Sequence, residues 1–297
     1  DKIFGNYINR TLFQGGFRKL EHLDIGWCSF NGIEFGAFRG LNLTLLLLSS
    51  NMLRSREFWP FGSESSVVKH LDLSHIGIVA NHYSAYYIAK TFPHLDELNL
   101  SNNMLQRLPN FCKKGHNPYQ PMNTTQLNLR ENRIQELAGE HMKQVCELMP
   151  NLKELNAYGN RITTLCDLCI SFRKLDLGNN RPNVGGESNL QEIQLLKNLE
   201  YFDLSVNQLR YLVSNFTQNM VNLQELYLND NELSCLDQQS FINNKKIQYI
   251  SLNSNKLEVF SGTLLKNANS LRAFHISYNK IQEFNASFFE ITEDLTS

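Results

Sequence analysis

Several groups of side chains in this 297-residue sequence have types and spacings that could do chemistry. Cys166 and Cys169 stand three positions apart, the spacing of a redox dithiol or of half a zinc site. A zinc ribbon needs a second close pair, but the other cysteines, at 28, 112, 146 and 235, are dispersed. Asp24, Asp72, Asp176 and Asp203 return in one local context and could be mistaken for carboxylate pairs. Their regular return is better explained as the solvated face of a repeat. The 8 histidines are scattered, with no serine or cysteine nucleophile obviously beside one. There is no Gly-x-Ser-x-Gly elbow, no phosphate-cradling glycine-rich loop and no His-Glu-x-x-His helix. The expectation is a binding protein, not an enzyme, with no metal and no cofactor.

Tyrosine is the residue that could bind. Tyr158, Tyr201, Tyr227, Tyr249 and Tyr278 recur with Asp203 and Glu225 among them. Tyrosine offers large, rigid, amphipathic contact area at modest entropic cost. The alternative is that these rings pack on one another along a β-surface.

What must position them is an internal repeat. Leu223-Gln-Glu-Leu226-Tyr-Leu228-Asn-Asp-Asn231-Glu-Leu233 reads L-x-x-L-x-L-x-x-N-x-L. The same frame fits from Leu43, Leu95, Thr124, Leu152, Leu199, Ile247 and Leu271, and weaker copies start at Leu20, Val68 and Phe172. That makes about eleven repeats, spaced 20 to 29 residues apart at the key Asn position and strictly 24 from Asn207 to Asn279. Apolar residues two apart lie on one face of a short strand and point inwards. The Asn then leaves the strand, and its amide can satisfy backbone groups that a buried, bending chain would strand. Phe38, Phe216, Phe241 and Phe289 come nine or ten residues after the key position and predict a second apolar spine. No coil buries both faces alone, so the stack is the folding unit.

The pattern resembles the typical animal leucine-rich repeat across essentially the whole chain. That resemblance implies an α/β solenoid: a horseshoe with a concave parallel β-sheet and an irregular or short-helical convex side. Residues 1–297 form a single solenoid in this reading, an internal piece of a longer ectodomain whose caps are missing. Irregular steps and long spacers resemble Toll-like receptor ectodomains most. This implies an innate-immune glycoprotein receptor, anchored in a membrane only through parts absent here. It would bind a protein or pathogen-derived ligand and signal through homo- or hetero-dimeric pairing. The alternatives are a secreted or cell-surface adhesion or matrix protein, and an intracellular regulator. A net charge of -1 gives no signal for nucleic acid.

Three long spacers, Ser55 to Val67, Gln106 to Asn123 and Arg181 to Leu195, should be edge insertions, which either carry binding or are tolerated loops. Cys28 takes a key Asn position and is expected as a buried free thiol. Cys112, Cys146, Cys166 and Cys169 fall outside the strands and could form two disulfides in any of three pairings. Glycosylation sequons occur at Asn9, Asn42, Asn123, Asn215 and Asn285, and also at Asn99, which falls on a strand. With the loop cysteines they point to an extracellular or endosomal-lumenal ectodomain, or to a secreted protein.

Overall fold

The computed structural model describes residues 6–13, 16–53, 67–79, 82–111, 121–181, 187–213 and 215–282. They fall into two compact units, Asp1–Ile134 with Glu140–Leu152, and Gln135–Gly139 with Lys153–Ser297. Both are leucine-rich-repeat solenoids built from one kind of coil. Every frame, the weak ones included, carries a three-residue strand at its third to fifth positions.

In the first unit β1 (Tyr7–Ile8) and β3 (Gly32–Ile33) form a small parallel pair. The main ladder runs β2 (His22–Asp24), β4 (Leu45–Leu47), β5 (His70–Asp72), β6 (Glu97–Asn99) and β7 (Gln126–Asn128), parallel and in register. Helices α1 (His82–Thr91) and α2 (Gly139–Leu148) occupy return segments. In the second unit β8 (Glu136–Leu137) pairs with β10 (Thr164–Leu165). Its main ladder runs β9 (Glu154–Asn156), β11 (Lys174–Asp176), β12 (Tyr201–Asp203), β13 (Glu225–Tyr227), β14 (Tyr249–Ser251) and β15 (Ala273–His275). Helix α3 (Glu187–Gln194) and a 3-10 turn at Gly262–Leu265 lie in its returns.

Strands this short depend on core burial and on side-chain amides for their hold. The fourth- and sixth-position side chains, such as Leu226 and Leu228, are buried in every frame but the first and last, where Leu23, Ile25, Phe274 and Ile276 are half-buried. The key amide then ties each coil to the one before. Asn231 Nδ2 donates to Leu204 O of the preceding coil (2.9 Å) and to Leu228 O and Asn229 O of its own, while Oδ1 accepts from Leu209 N (3.1 Å). Asn51, Asn103, Asn132, Asn255 and Asn279 repeat the scheme. Each such amide satisfies a buried backbone N–H and gives carbonyls shared by neighbouring coils a second donor, as Asn231 does for Leu209 N and for Leu204 O.

The residue immediately before the key position is left-handed in every frame, from Trp27 (φ 57°) to Tyr278 (φ 55°). Only Gly159 supplies the residue type that adopts this backbone without strain, and Val206 (φ 53°) is the type that tolerates it least. The turn occurs even where the next residue is Cys28 or Ile76. It lets the left-handed residue's own N–H donate to the following coil, as Trp27 N does to Ser49 O and Val206 N to Asn229 O.

The return side carries the expected phenylalanine spine: Phe38, Phe216 and Phe241 are buried, and Phe289 lies outside the described residues. A second set of amides, not anticipated from sequence, ties returns to one another. Asn198 donates to Ile170 O, Asn222 to Lys197 O, Asn243 to Gln218 O and Asn267 to Ile242 O. Most of the first two spacers, residues 54–66 and 112–120, lie outside the described residues, as do 182–186 with Gly185-Gly186. The third spacer is not a bare loop, since it forms α3. Asn189 of α3 is buried, accepts from Leu165 N and donates to Thr163 O, docking the helix on β10.

Candidate binding surface

Alternation within each strand decides what the open face displays. In the second unit the third positions read Glu154, Lys174, Tyr201, Glu225, Tyr249 and Ala273; the fifth read Asn156, Asp176, Asp203, Tyr227, Ser251 and His275. Tyrosine therefore alternates between rows on neighbouring strands, and the rings meet diagonally. Ring centroids are 5.2 Å apart for Tyr201–Tyr227, 4.9 Å for Tyr227–Tyr249 and 5.1 Å for Tyr249–His275. The result is one continuous aromatic strip across β12–β15. His275 carries the strip one strand beyond the tyrosines.

The hydroxyls are held by the intervening acids. Tyr201 Oη donates to Asp203 Oδ2 (3.3 Å), and Tyr227 Oη donates to Glu225 Oε2 (2.9 Å). Burial, reinforced by the nearby Asp203 and Asp176 carboxylates, pushes the Tyr201 phenol well above its ordinary range. Burial and the bond to Glu225 do the same for Tyr227. Beside the strip a cleft of about 460 Å³ opens, with Glu154, Lys174, Asp176, Glu200, Tyr201 and Glu225 among its walls.

Two other tyrosines stand off the strip. Tyr158, at a turn position, lays its ring against Gly178, where an added Cβ would come within 2.8 Å of it. Tyr278 is the left-handed turn residue of its coil and is 85% exposed. Neither alternates with the buried leucines as the strand tyrosines do.

The recurrent aspartates do more than face solvent. Oδ1 of Asp24, Asp72, Asp176 and Asp203 accepts the backbone N–H two residues on, at 2.7–2.9 Å. Asn99, Asn128 and Asn156 do the same, so the position selects a side-chain acceptor that closes the turn. In the first unit Leu45 and Leu47 are half-buried on the open face, between His22 and His70 and between Asp24 and Asp72.

The cysteine expectations need correction. Cys146 and Cys169 are each disulfide-bonded, whereas Cys166 is a free thiol, so two disulfides among the four candidates do not form. Cys112 lies outside the described residues. Burial, the hydrogen bond from its Sγ to Asp167 and the nearby Glu192 raise the Cys166 pKa, the opposite of an activated thiolate. Cys28 is free as expected but exposed, because β2 is the edge strand of its ladder among the described residues and no coil covers it there. Of the sequon asparagines, Asn9, Asn42 and Asn123 are exposed and Asn215 is half-buried, while Asn285 lies outside the described residues.

The leucine rich repeat family model matches residues 221–281, the strictly spaced coils of β13–β15. No curated protein matches the sequence. Among solved structures, Drosophila Toll in its complex with Spatzle superposes with a TM-score of 0.63 at 17% identity, covering 91% of this chain and 40% of that one. A Leptospira interrogans leucine-rich-repeat protein gives 0.56 at 19% identity over 94% and 83% of the two chains. Human 5T4, the trophoblast glycoprotein, gives 0.52 at 22% identity over 62% and 70%. Likeness at these identities shows the fold.

Proposed function

We propose that this chain is the binding part of an innate-immune receptor of Toll-like type, displayed outside the cell or in the endosomal lumen. Its ligand is a protein or pathogen-derived molecule seated on the strand face of the second unit, and receptor pairing carries the signal. The solenoid is a non-catalytic scaffold in this reading. The observation that carries it is the aromatic strip Tyr201–Tyr227–Tyr249–His275, an ordered row of rings left on an open sheet face. Interfaces concentrate such rings at their centres. The disulfide-bonded Cys146 and Cys169 favour an oxidising compartment over the intracellular alternative. The uniform 24-residue steps from Asn207 to Asn279 favour, as a second reading, an adhesion or matrix protein with the same binding face.

Sequencing the full-length transcript separates the two. A membrane-spanning helix followed by a Toll/interleukin-receptor-type signalling domain is expected. An open reading frame lacking both contradicts the receptor reading and leaves the adhesion protein.

A further inference from the structure

We infer that the centre of this strand face, at β11–β13, receives an arginine side chain presented by an exposed segment of a protein ligand. The inference rests on the strand face being the binding surface and adds the chemistry of its occupant.

The charges on the face set the sign. The acids on its outward positions are Glu154, Asp176, Asp203 and Glu225, while Lys174 lies with Nζ 3.2 Å from Glu154 Oε1. Glu200, on the cleft wall, is likewise engaged by Arg173 at 3.3 Å. Asp203 and Glu225 differ. Asp203 accepts from Ser205 N and Tyr201 Oη, and Glu225 from Tyr227 Oη, so these hydrogen-bond partners are neutral. Neutral donors order a carboxylate without cancelling its charge. Two oriented anions therefore flank the Tyr201–Tyr227 ring pair, and Asp176 lies close enough to Tyr201 to help raise its pKa.

That combination selects a guanidinium. A planar cation stacks on a tyrosine face and donates along its edge to carboxylates at the same time. An ammonium can take the charge but not the stack, and an acidic partner meets repulsion. The cleft of about 460 Å³ beside Tyr201 leaves room for the aliphatic stem.

The probe is a fluorescein-labelled peptide of alternating glycine and arginine, with a citrulline version of the same shape and no charge. Binding is read by fluorescence anisotropy at about 150 mM salt, where surface charge alone is largely screened. Wild type should bind the arginine peptide, and the double variant Asp203→Asn/Glu225→Gln at least tenfold more weakly. The citrulline peptide should lose as much. Both substitutions keep an acceptor oxygen, and Asn156 already closes the same turn with an amide, so the fold is retained. Glu258→Gln, off the strands, should change nothing.

Failure of wild type to bind the arginine peptide overturns the inference, as does equal loss in Glu258→Gln. If Tyr201→Ala/Tyr227→Ala/Tyr249→Ala loses the peptide while the charge variant and the citrulline peptide bind as before, the cation site falls and the binding face stands. If peptide binding persists in every variant, both fall.

Discussion

Asn231 shows how much one side chain carries in this molecule. Its amide meets three carbonyls and one N–H, shared between two coils. Alanine would take the partner of the buried Leu209 N–H and leave Leu204 O, Leu228 O and Asn229 O with one donor fewer. Asn231→Ala should cost roughly 1–3 kcal/mol, read as a lower urea midpoint at unchanged slope. An unchanged midpoint would mean that the register is wrong. Val206 makes the complementary case. A β-branched residue held at φ 53° is strained, and glycine removes the strain at some cost in unfolded-state entropy. Val206→Gly should therefore stabilise by about 1 kcal/mol in the same titration, and a loss of stability would place the valine side chain in packing that its exposure does not suggest. The Asn ladder was legible in the sequence because one residue type does one job in nearly every coil. The left-handed position was not, because Trp27, His75, Glu131 and Val206 all occupy it and share no chemistry. There the geometry goes with the backbone stacking of the coils, in which Trp27 N donates to Ser49 O, His75 N to Ser101 O and Val206 N to Asn229 O.

At the scale of elements, the strands emerged directly from the frame, including the weak copies at Leu20, Val68 and Phe172. Period-2 burial needs only two inward residues, and each of those copies retains them. The return segments were less legible. Helix α3 sits in a spacer whose apolar content is slight, and it is fixed by Asn189 reaching β10, a long-range bond that no local pattern announces. Cysteine pairing was not legible for the same reason: the sequence left three pairings of two disulfides open, while the fold sets Cys166 beside Asp167 and Glu192 as a free thiol. Alkylation of the unreduced protein and subsequent peptide mapping should show exposed Cys28 and Cys235 labelled readily. Cys166 should label more slowly because its thiolate is disfavoured, and Cys146 and Cys169 only after reduction. Labelling of Cys146 without reduction would contradict both the disulfide and the oxidising compartment.

Across the whole molecule, a net charge of -1 hides a local asymmetry that register alone reveals: acids and tyrosines share one stretch of sheet. Alternation in the sequence suffices to place Tyr201, Tyr227 and Tyr249 on that stretch. It could not place Tyr158 and Tyr278, which belong to turns, where period-2 reasoning stops. The central claim is that this strip is where a partner sits. Its most direct test is the affinity of Tyr201→Ala/Tyr227→Ala/Tyr249→Ala for the partner captured by the wild-type chain, measured by surface plasmon resonance. These half-buried side chains lie outside the fully buried core, so the variant should keep its fold by circular dichroism. One interfacial tyrosine can contribute about 2 kcal/mol, so the account predicts a loss of more than tenfold. Equal affinity in the folded variant would contradict it and move the site to the insertions at 55–67 and 106–123.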